Sequence, residues 1–299
     1  MGSKVSSTLP PVVVVGSSGY VGNAVVAALA AKGAKVTAGV RNPDPTASKN
    51  ARLVAAGVKL VATDMAKPET VTAAISKGAT VLIVTPGAEN REQLAKNGIA
   101  AAVKAGAGHI GLISVTSVEA SGLFAEQFRP IEAALTASGV DFSIYRLPPF
   151  LDNYLGQPIK DGSAIYQPLS PDRKASQITT HDIGEAIANA FAHLDKVKGR
   201  TLTLAGTQSS PTEAAAAFSK ALGKKVSYTQ VPFEAAKKSA LEMGFPEWQA
   251  TGFVELLKLQ EAGDKALVIP DENNHTAELL GRPATTVEQF AEAVKGYLQ

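Results

Sequence analysis

Val12-Val13-Val14-Val15-Gly16-Ser17-Ser18-Gly19-Tyr20-Val21-Gly22 decides the fold. A run of valines, branched at Cβ, favours an extended strand, and its apolar character on both faces suits a sheet covered by helices on either side. The run leads directly into a GxxGxxG loop that opens an alanine-rich helix, read as Tyr20 to Lys32. Each glycine has its own reason: the first permits a tight turn, the second lets a ligand's pyrophosphate approach the backbone, and the third allows close packing of helix on strand. Amide donors and partial positive charge at the helix start then favour phosphate. Three glycines at this spacing also suit a plain strand-to-helix turn. What points to a dinucleotide is their place, between the first strand and first helix of a longer βα array.

That array follows outward. Further strands are read at Lys35 to Val40, Val58 to Ala62, Val81 to Val84, His109 to Ser114 and Phe142 to Arg146, with helices between them near Ala47 to Ala56, Pro68 to Ser76, Glu89 to Ala105 and Leu123 to Ser138. Alternation of this kind predicts an α/β fold, a doubly wound parallel-sheet Rossmann domain with right-handed crossovers. Beyond Pro148 the rhythm breaks at Gly156, Pro158, Gly162, Pro168 and Pro171, and a smaller, mainly helical C-terminal lobe is expected. The division is drawn as 1–155 for the Rossmann domain, with 1–10 flexible, and 156–299 for the second lobe, with about 181–206 returning to the first through a strand at Thr201 to Ala205. Helix starts in the lobe are marked by Ser210-Pro211-Thr212-Glu213, a capping box with proline at the first helical position, and by a second box on Thr285 and Glu288.

The strand ends supply the candidate contacts. Arg41 closes the second strand, where an acid would hold a ribose 2′-hydroxyl and an arginine suits a 2′-phosphate, so NADP(H) is the expected cofactor. The competing reading is a surface arginine neutralised by Asp44. Asp64, beside Met65, is read either as an acceptor for adenine or as a helix cap. Thr85 and Pro86 follow the fourth strand, at the carboxyl edge where the ligand crevice of such folds lies. Ser114, Thr116 and Ser117 end the fifth.

Composition narrows the partners. With 299 residues, 45% apolar and 19% charged, the chain reads as globular, and a net charge of +2 without a basic stripe gives no footprint for nucleic acid. No cysteine is present, which removes thiol nucleophiles and thiolate ligands, and His109, His181, His193 and His275 show no metal-ligand spacing, so no metal is assigned. No transmembrane segment is expected and the default compartment is cytoplasmic. Met1-Gly2 with Ser6 fits the minimal myristoylation pattern, which fixes only two positions.

Taken together, the Gly16 to Gly22 loop, Val40-Arg41-Asn42, the stretch Ile131-Glu132-Ala133-Ala134-Leu135 through Ser138-Gly139 to Tyr145-Arg146-Leu147-Pro148, Phe150-Leu151-Asp152-Asn153, Thr180-His181-Asp182-Ile183-Gly184, Leu202 to Gly206 and Leu280-Gly281-Arg282-Pro283 resemble the NmrA-like group of atypical short-chain dehydrogenase/reductases over most of the chain. The resemblance implies NADP(H) binding. It leaves two roles open, an NADPH-dependent reductase of quinones or dyes acting on a small-molecule acceptor, and a catalytically silent redox sensor acting through a protein partner. Ordinary short-chain reductases use a YxxxK pair as proton donor. Here the residues four after Tyr20, Tyr145, Tyr154, Tyr166 and Tyr228 are Ala24, Pro149, Pro158, Ser170 and Pro232. Where related lineages carry a lysine three residues before the position of Glu132 there is Arg129, expected to bond the nicotinamide ribose but too basic to shuttle a proton. No catalytic residue is assigned. Phe150, Asn153 and Tyr154 are expected to line a cleft, Phe150 touching both cofactor and substrate.

Overall fold

Val12–Val15 (β1) is buried along its whole length, and this strand organises the sheet. The computed structural model describes residues 10–298; Gly2 and the other residues of the predicted flexible start, apart from Pro10, lie outside them. Next come Tyr20–Ala31 (α1), Val36–Val40 (β2), Ala51–Ala55 (α2), Lys59–Ala62 (β3), Pro68–Ala74 (α3) and Thr80–Ile83 (β4). Arg91–Lys104 (α4), His109–Val115 (β5), Leu123–Thr136 (α5) and Phe142–Leu147 (β6) complete the array. With Arg200–Thr203 they form a seven-stranded sheet in the order β3-β2-β1-β4-β5-β6 and then Arg200–Thr203. Pairs β1–β2, β1–β4, β2–β3 and β4–β5 are parallel, with Val12 opposite Val36 on one side and Thr80 on the other. This is the doubly wound Rossmann order, which gathers the carboxyl ends of β1 to β4 on one edge.

Contacts divide the chain into two units. The first holds residues up to Ser114, Arg129–Arg146 and His181–Leu202; the second holds Val115–Phe128, Leu147–Thr180 and Thr203–Gln299. Helix Thr180–Ala192 (α6), in the first unit from His181 onward, carries Gly184, where a Cβ would come within 2.6 Å of the Ala24 carbonyl on α1, so only glycine lets those helices approach.

The second unit is mainly helical around a core of Leu151, Tyr154, Ile165, Phe218, Phe290 and Leu298. It also contains short strands the sequence did not suggest: Ala164–Gln167 pairs in parallel with Ser227–Gln230, and Ala175–Ser176 antiparallel with Gln208–Ser209. Helix Pro211–Leu222 begins at the expected capping box, Ser210 accepting from the Glu213 N–H while the Glu213 carboxylate accepts from the Ser210 N–H. The second box is shifted by one residue from its predicted position. Thr286 and Gln289 form it, because Gln289 Oε1 accepts from the Thr286 N–H and Thr286 Oγ1 accepts from the Gln289 N–H. Glutamine serves as well as glutamate at that position. The helix read over Ala47 to Ala56 is shorter too, a 3-10 turn at Ser48–Asn50 leading into α2.

Candidate functional site

The loop after β1 is built from backbone bonds to β2. The N–H groups of Gly16 and Ser17 both donate to the Gly39 carbonyl, at 3.1 and 3.0 Å. Gly16 has φ +88°, a conformation that favours glycine, and a Cβ there would lie 2.7 Å from the Val84 carbonyl. A Cβ on Gly22 would meet the Gly16 carbonyl at 2.4 Å. Gly19 differs: its nearest neighbour would be the Gly16 carbonyl at 3.7 Å, ordinary contact with open space beyond. Two glycines are thus closed by the protein itself and the middle one faces outward.

Gly19 is also the N-cap of α1, with no side chain bonding the first turn and no acidic residue in it. Amides at that end are left to an external acceptor, as an anion-binding helix start requires. Ser18 and Gly19 are exposed, Val21 and Gly22 buried, and the Tyr20 ring is 80% exposed beside the loop. Ser17 is turned the other way: its hydroxyl donates to the Val14 carbonyl at 2.6 Å and the residue is fully buried, so it shapes the loop without offering a donor.

Arg41 follows β2 directly and is exposed. Among the described residues it has no ion-pair partner, and Asp44 is otherwise engaged. The Asp44 carboxylate accepts from the Thr46 N–H at 2.9 Å and hydroxyl at 2.7 Å, bonds that hold it below the usual carboxylate range. Asp64, after β3, ties its carboxylate to the Ala66 N–H at 2.9 Å, so it closes a local turn; the first residue before α3 is Lys67, and Asp64 does not cap that helix. Met65 is buried against Gly98 of α4, its carbonyl accepting from Asn97 Nδ2 at 3.0 Å. Thr85 and Pro86 are half-buried after β4, and the Pro86 carbonyl accepts from Arg91 Nε at 2.7 Å. Burial draws the Arg91 guanidinium down to about 10. Arg129 is exposed on α5.

The residues that follow β1 to β4 share the carboxyl edge of the first unit's sheet and Arg129 belongs to the same unit, whereas Thr116, Phe150, Asn153 and Tyr154 belong to the second. Thr116 is buried with no hydrogen-bond partner for its hydroxyl. Phe150 is half-buried, bridged to Ile178, and Asn153 is exposed. Tyr154 is not at a surface at all: it is 2% exposed, edge-on to Phe218 at 5.6 Å, and burial pushes its phenol up to about 12. It is a core residue, contrary to the expectation that it lines a cleft. Asp152, quoted above only as part of a motif, holds the start of α6 by accepting from the Thr180 N–H and hydroxyl at 2.9 and 2.6 Å.

Sequence reasoning also missed Gly39, which accepts both loop bonds and cannot carry a Cβ because Thr63 Oγ1 would be 2.5 Å away. A glycine inside a strand was the available signal. Beneath the end of β5, the Ser114 hydroxyl donates to Glu132 at 2.5 Å and Arg146 binds the same carboxylate through two nitrogens, at 3.0 and 2.7 Å. Among the described residues no cluster of three acids, histidines or cysteines suits a metal, and no helix is long and apolar enough to cross a membrane.

With this geometry in hand, comparison with known proteins is specific: the profile of the NmrA-like family matches residues 10–291. The chain belongs to the NmrA-like family. An NAD(P)H azoreductase of Xenophilus azovorans is 30% identical over 291 residues, spanning 94% of this chain and 97% of that protein. Among solved structures, an NADPH-dependent quinone oxidoreductase of Escherichia coli complexed with NADPH superposes with a TM-score of 0.77 at 23% identity, covering 95% of this chain and 99% of that one. NmrA, a negative transcriptional regulator solved in complex with NADP, gives 0.79 at 19% identity, with 97% of both chains covered. At these identities the two structures speak to the fold. The short motifs quoted from the sequence fall within the matched span.

Proposed function

We propose that this protein binds NADP(H) on its first unit and uses NADPH to reduce quinone-like, electrophilic acceptors without the usual Tyr/Lys pair. The observation that carries the reading is the glycine loop, closed by backbone at Gly16 and Gly22 and open at Gly19, in front of an uncapped helix start. A pyrophosphate needs that combination of close approach and unspent amides. Arg41, exposed and without an ion-pair partner among the described residues, supports a 2′-phosphate over a bare ribose hydroxyl, since a guanidinium meets phosphate with paired, charge-assisted bonds. Reduction is supported by the azoreductase, the relative at 30% identity.

Bound nicotinamide would supply a hydride. The protein's part is to position it, and the sequence holds no YxxxK pair to give a proton to a carbonyl oxygen as it gains charge. Tyr145 and Tyr154 lack a lysine four residues on and are buried, with Tyr154 drawn up to about 12 by burial. An acceptor that stabilises the incoming electron pair itself, as a quinone does, can take its proton from water after the hydride arrives, so a positioned acid is not required. Phe150, Asn153 and Thr116, all within the second unit, are the residues proposed to meet the acceptor.

Anaerobic steady-state NADPH oxidation against quinones, dyes and simple ketones, run beside NADPH titration, tests the reading. Turnover of quinones or dyes with little on ketones is expected. Tight NADPH binding with no turnover on any acceptor would replace the reductase with a sensing role. Efficient reduction of an unactivated ketone, with a group titrating near neutrality, would mean that an acid has been overlooked.

A further inference from the structure

Asn50 stands out in the loop that follows β2. Its side chain is completely buried, yet it sits between two segments exposed to solvent. Both protons of Nδ2 are used: one on the Asn42 carbonyl at 2.9 Å, the other on the Asp44 carbonyl at 2.8 Å. Two facing carbonyls also fix the amide's orientation, because the flipped arrangement would set oxygen against oxygen. The other end of the amide, Oδ1, is buried without a partner. An apolar residue would avoid that penalty, so the gain must lie in what Nδ2 grips.

What it grips is the residue next to Arg41 and the acid two places further on. The Asp44 N–H donates to Asn42 Oδ1 at 3.2 Å, and the Asp44 carboxylate is taken by Thr46. The segment from 42 to 50 is thereby wired to itself, with Asn50 as its inner anchor, while Arg41, just before it, has no ion-pair partner among the described residues.

We propose that Asn50 is a specificity-determining positioning residue: by clasping the carbonyls of Asn42 and Asp44 it holds the loop so that Arg41 meets the 2′-phosphate of NADPH. The inference rests on the reading of Arg41 given above. Asn50 does not touch the cofactor; it acts through Arg41, and its effect must therefore appear in discrimination between cofactors and not in binding as a whole.

The test is titration of the full-length protein with NADPH and with NADH, for the wild type, Arg41→Ala, Asn50→Leu, Asn50→Ser and Arg41→Ala/Asn50→Leu, each checked by circular dichroism and melting. Asn50→Leu keeps the volume and removes both bonds; it should weaken NADPH by about tenfold while NADH changes by less than about twofold. Serine has one proton to give, so Asn50→Ser should fall between, and it carries the test should the leucine variant not fold. In the Arg41→Ala background Asn50→Leu should add no further loss of preference, the signature of two residues acting as one unit. An NADPH-to-NADH preference unchanged in both Asn50 variants, with Arg41→Ala abolishing it, overturns the role of Asn50 alone. A wild type without preference, or one whose preference survives Arg41→Ala, overturns the reading of Arg41 on which it stands. Equal weakening of both cofactors would assign Asn50 a purely structural part and also defeat the proposal.

Discussion

Two groups of residues in the first unit are treated in opposite ways. At the carboxyl ends of β1 and β2, Gly19 faces open space, the first turn of α1 has no side-chain cap, and Arg41 is exposed with no ion-pair partner among the described residues. Around the start of β5 and β6, His109, Ser143 and Tyr145 are all buried and spend their groups on one another: His109 Nε2 lies 2.9 Å from Ser143 Oγ, which donates to the Tyr145 hydroxyl at 3.0 Å. Phe191 seals the chain edge-on to both rings, and Gly111 makes room for it, since a Cβ there would lie 2.9 Å from Phe191 Cζ. A histidine, a serine and a tyrosine in sequence look like machinery, yet this group is closed, while the glycines of the other edge are the chemically available ones. Availability of a donor, more than residue type, separates a binding edge from a packed core.

The largest effect separates glycines within one loop. Gly22→Val and Gly16→Val should fail to give a folded protein, because the new atoms would meet backbone at 2.4 and 2.7 Å. Gly19→Val should fold and melt near the wild type, since only ordinary contact awaits its Cβ, but should lose NADPH and NADH alike by more than about a hundredfold. Calorimetric melting with paired titrations decides it. A folded Gly19→Val that binds normally would make the loop a turn and erase the contrast.

The closed site predicts a pH effect of stability alone. Burial lowers the His109 pKa to about 4 from 6.5, aided by Lys198 and opposed by Asp141. Above pH 6.5 both folded and unfolded chains are neutral there, and nothing is gained or lost. Between 6.5 and 4 the unfolded chain takes up a proton that the folded one refuses, so stability falls as pH falls, by about 3 kcal/mol once the interval is crossed. Urea unfolding of the wild type and His109→Asn at pH 7 and pH 4.5 should show the difference between them shrinking or reversing in acid. A difference independent of pH would mean the imidazole is more open to water than its burial implies.

Arg41→Ala comes next in size. Loss of a paired, charge-assisted phosphate contact costs about 2 kcal/mol, roughly thirtyfold in NADPH affinity, with NADH little changed. Raising the salt concentration should narrow the gap between wild type and variant, as expected for an exposed charge. A variant equally weakened for both cofactors would move the arginine's role from recognition to structure.

How far the sequence could be read follows the same line. The buried strands were legible because a covered parallel strand is apolar on both faces, and β1 runs where its valines do; Gly16, Gly19 and Gly22 were legible because strand and helix flank them. That Arg41 directly follows a strand was legible as well, and its part in cofactor choice is the proposal under test. What escaped depends on contacts distant in the chain. Tyr154 reads as a cleft aromatic until Phe218, 5.6 Å away in space, is seen to enclose it. The cap at Thr286 instead of Thr285 turns on which side chain reaches which amide, and both are threonine. Asn50 carries no periodic or motif signal, because its partners are carbonyls that every residue has.

Ser17 offers the smallest and sharpest test, since it belongs to the open edge by position and to the closed one by bonding. Its neighbour Ser18 is exposed, whereas the Ser17 hydroxyl is buried on the Val14 carbonyl and its N–H on that of Gly39. Ser17→Ala removes one internal hydrogen bond without leaving a donor stranded, which costs about 1 kcal/mol of stability and about 2 °C in Tm for a chain of this size. NADPH affinity should stay within about twofold, because the hydroxyl has nothing left to give a ligand. Ser18→Ala should leave Tm alone. If Ser17→Ala instead weakened NADPH tenfold or more at an unchanged Tm, its hydroxyl would have to turn outward on binding, and the boundary between spent and available donors would fall one residue earlier in the loop.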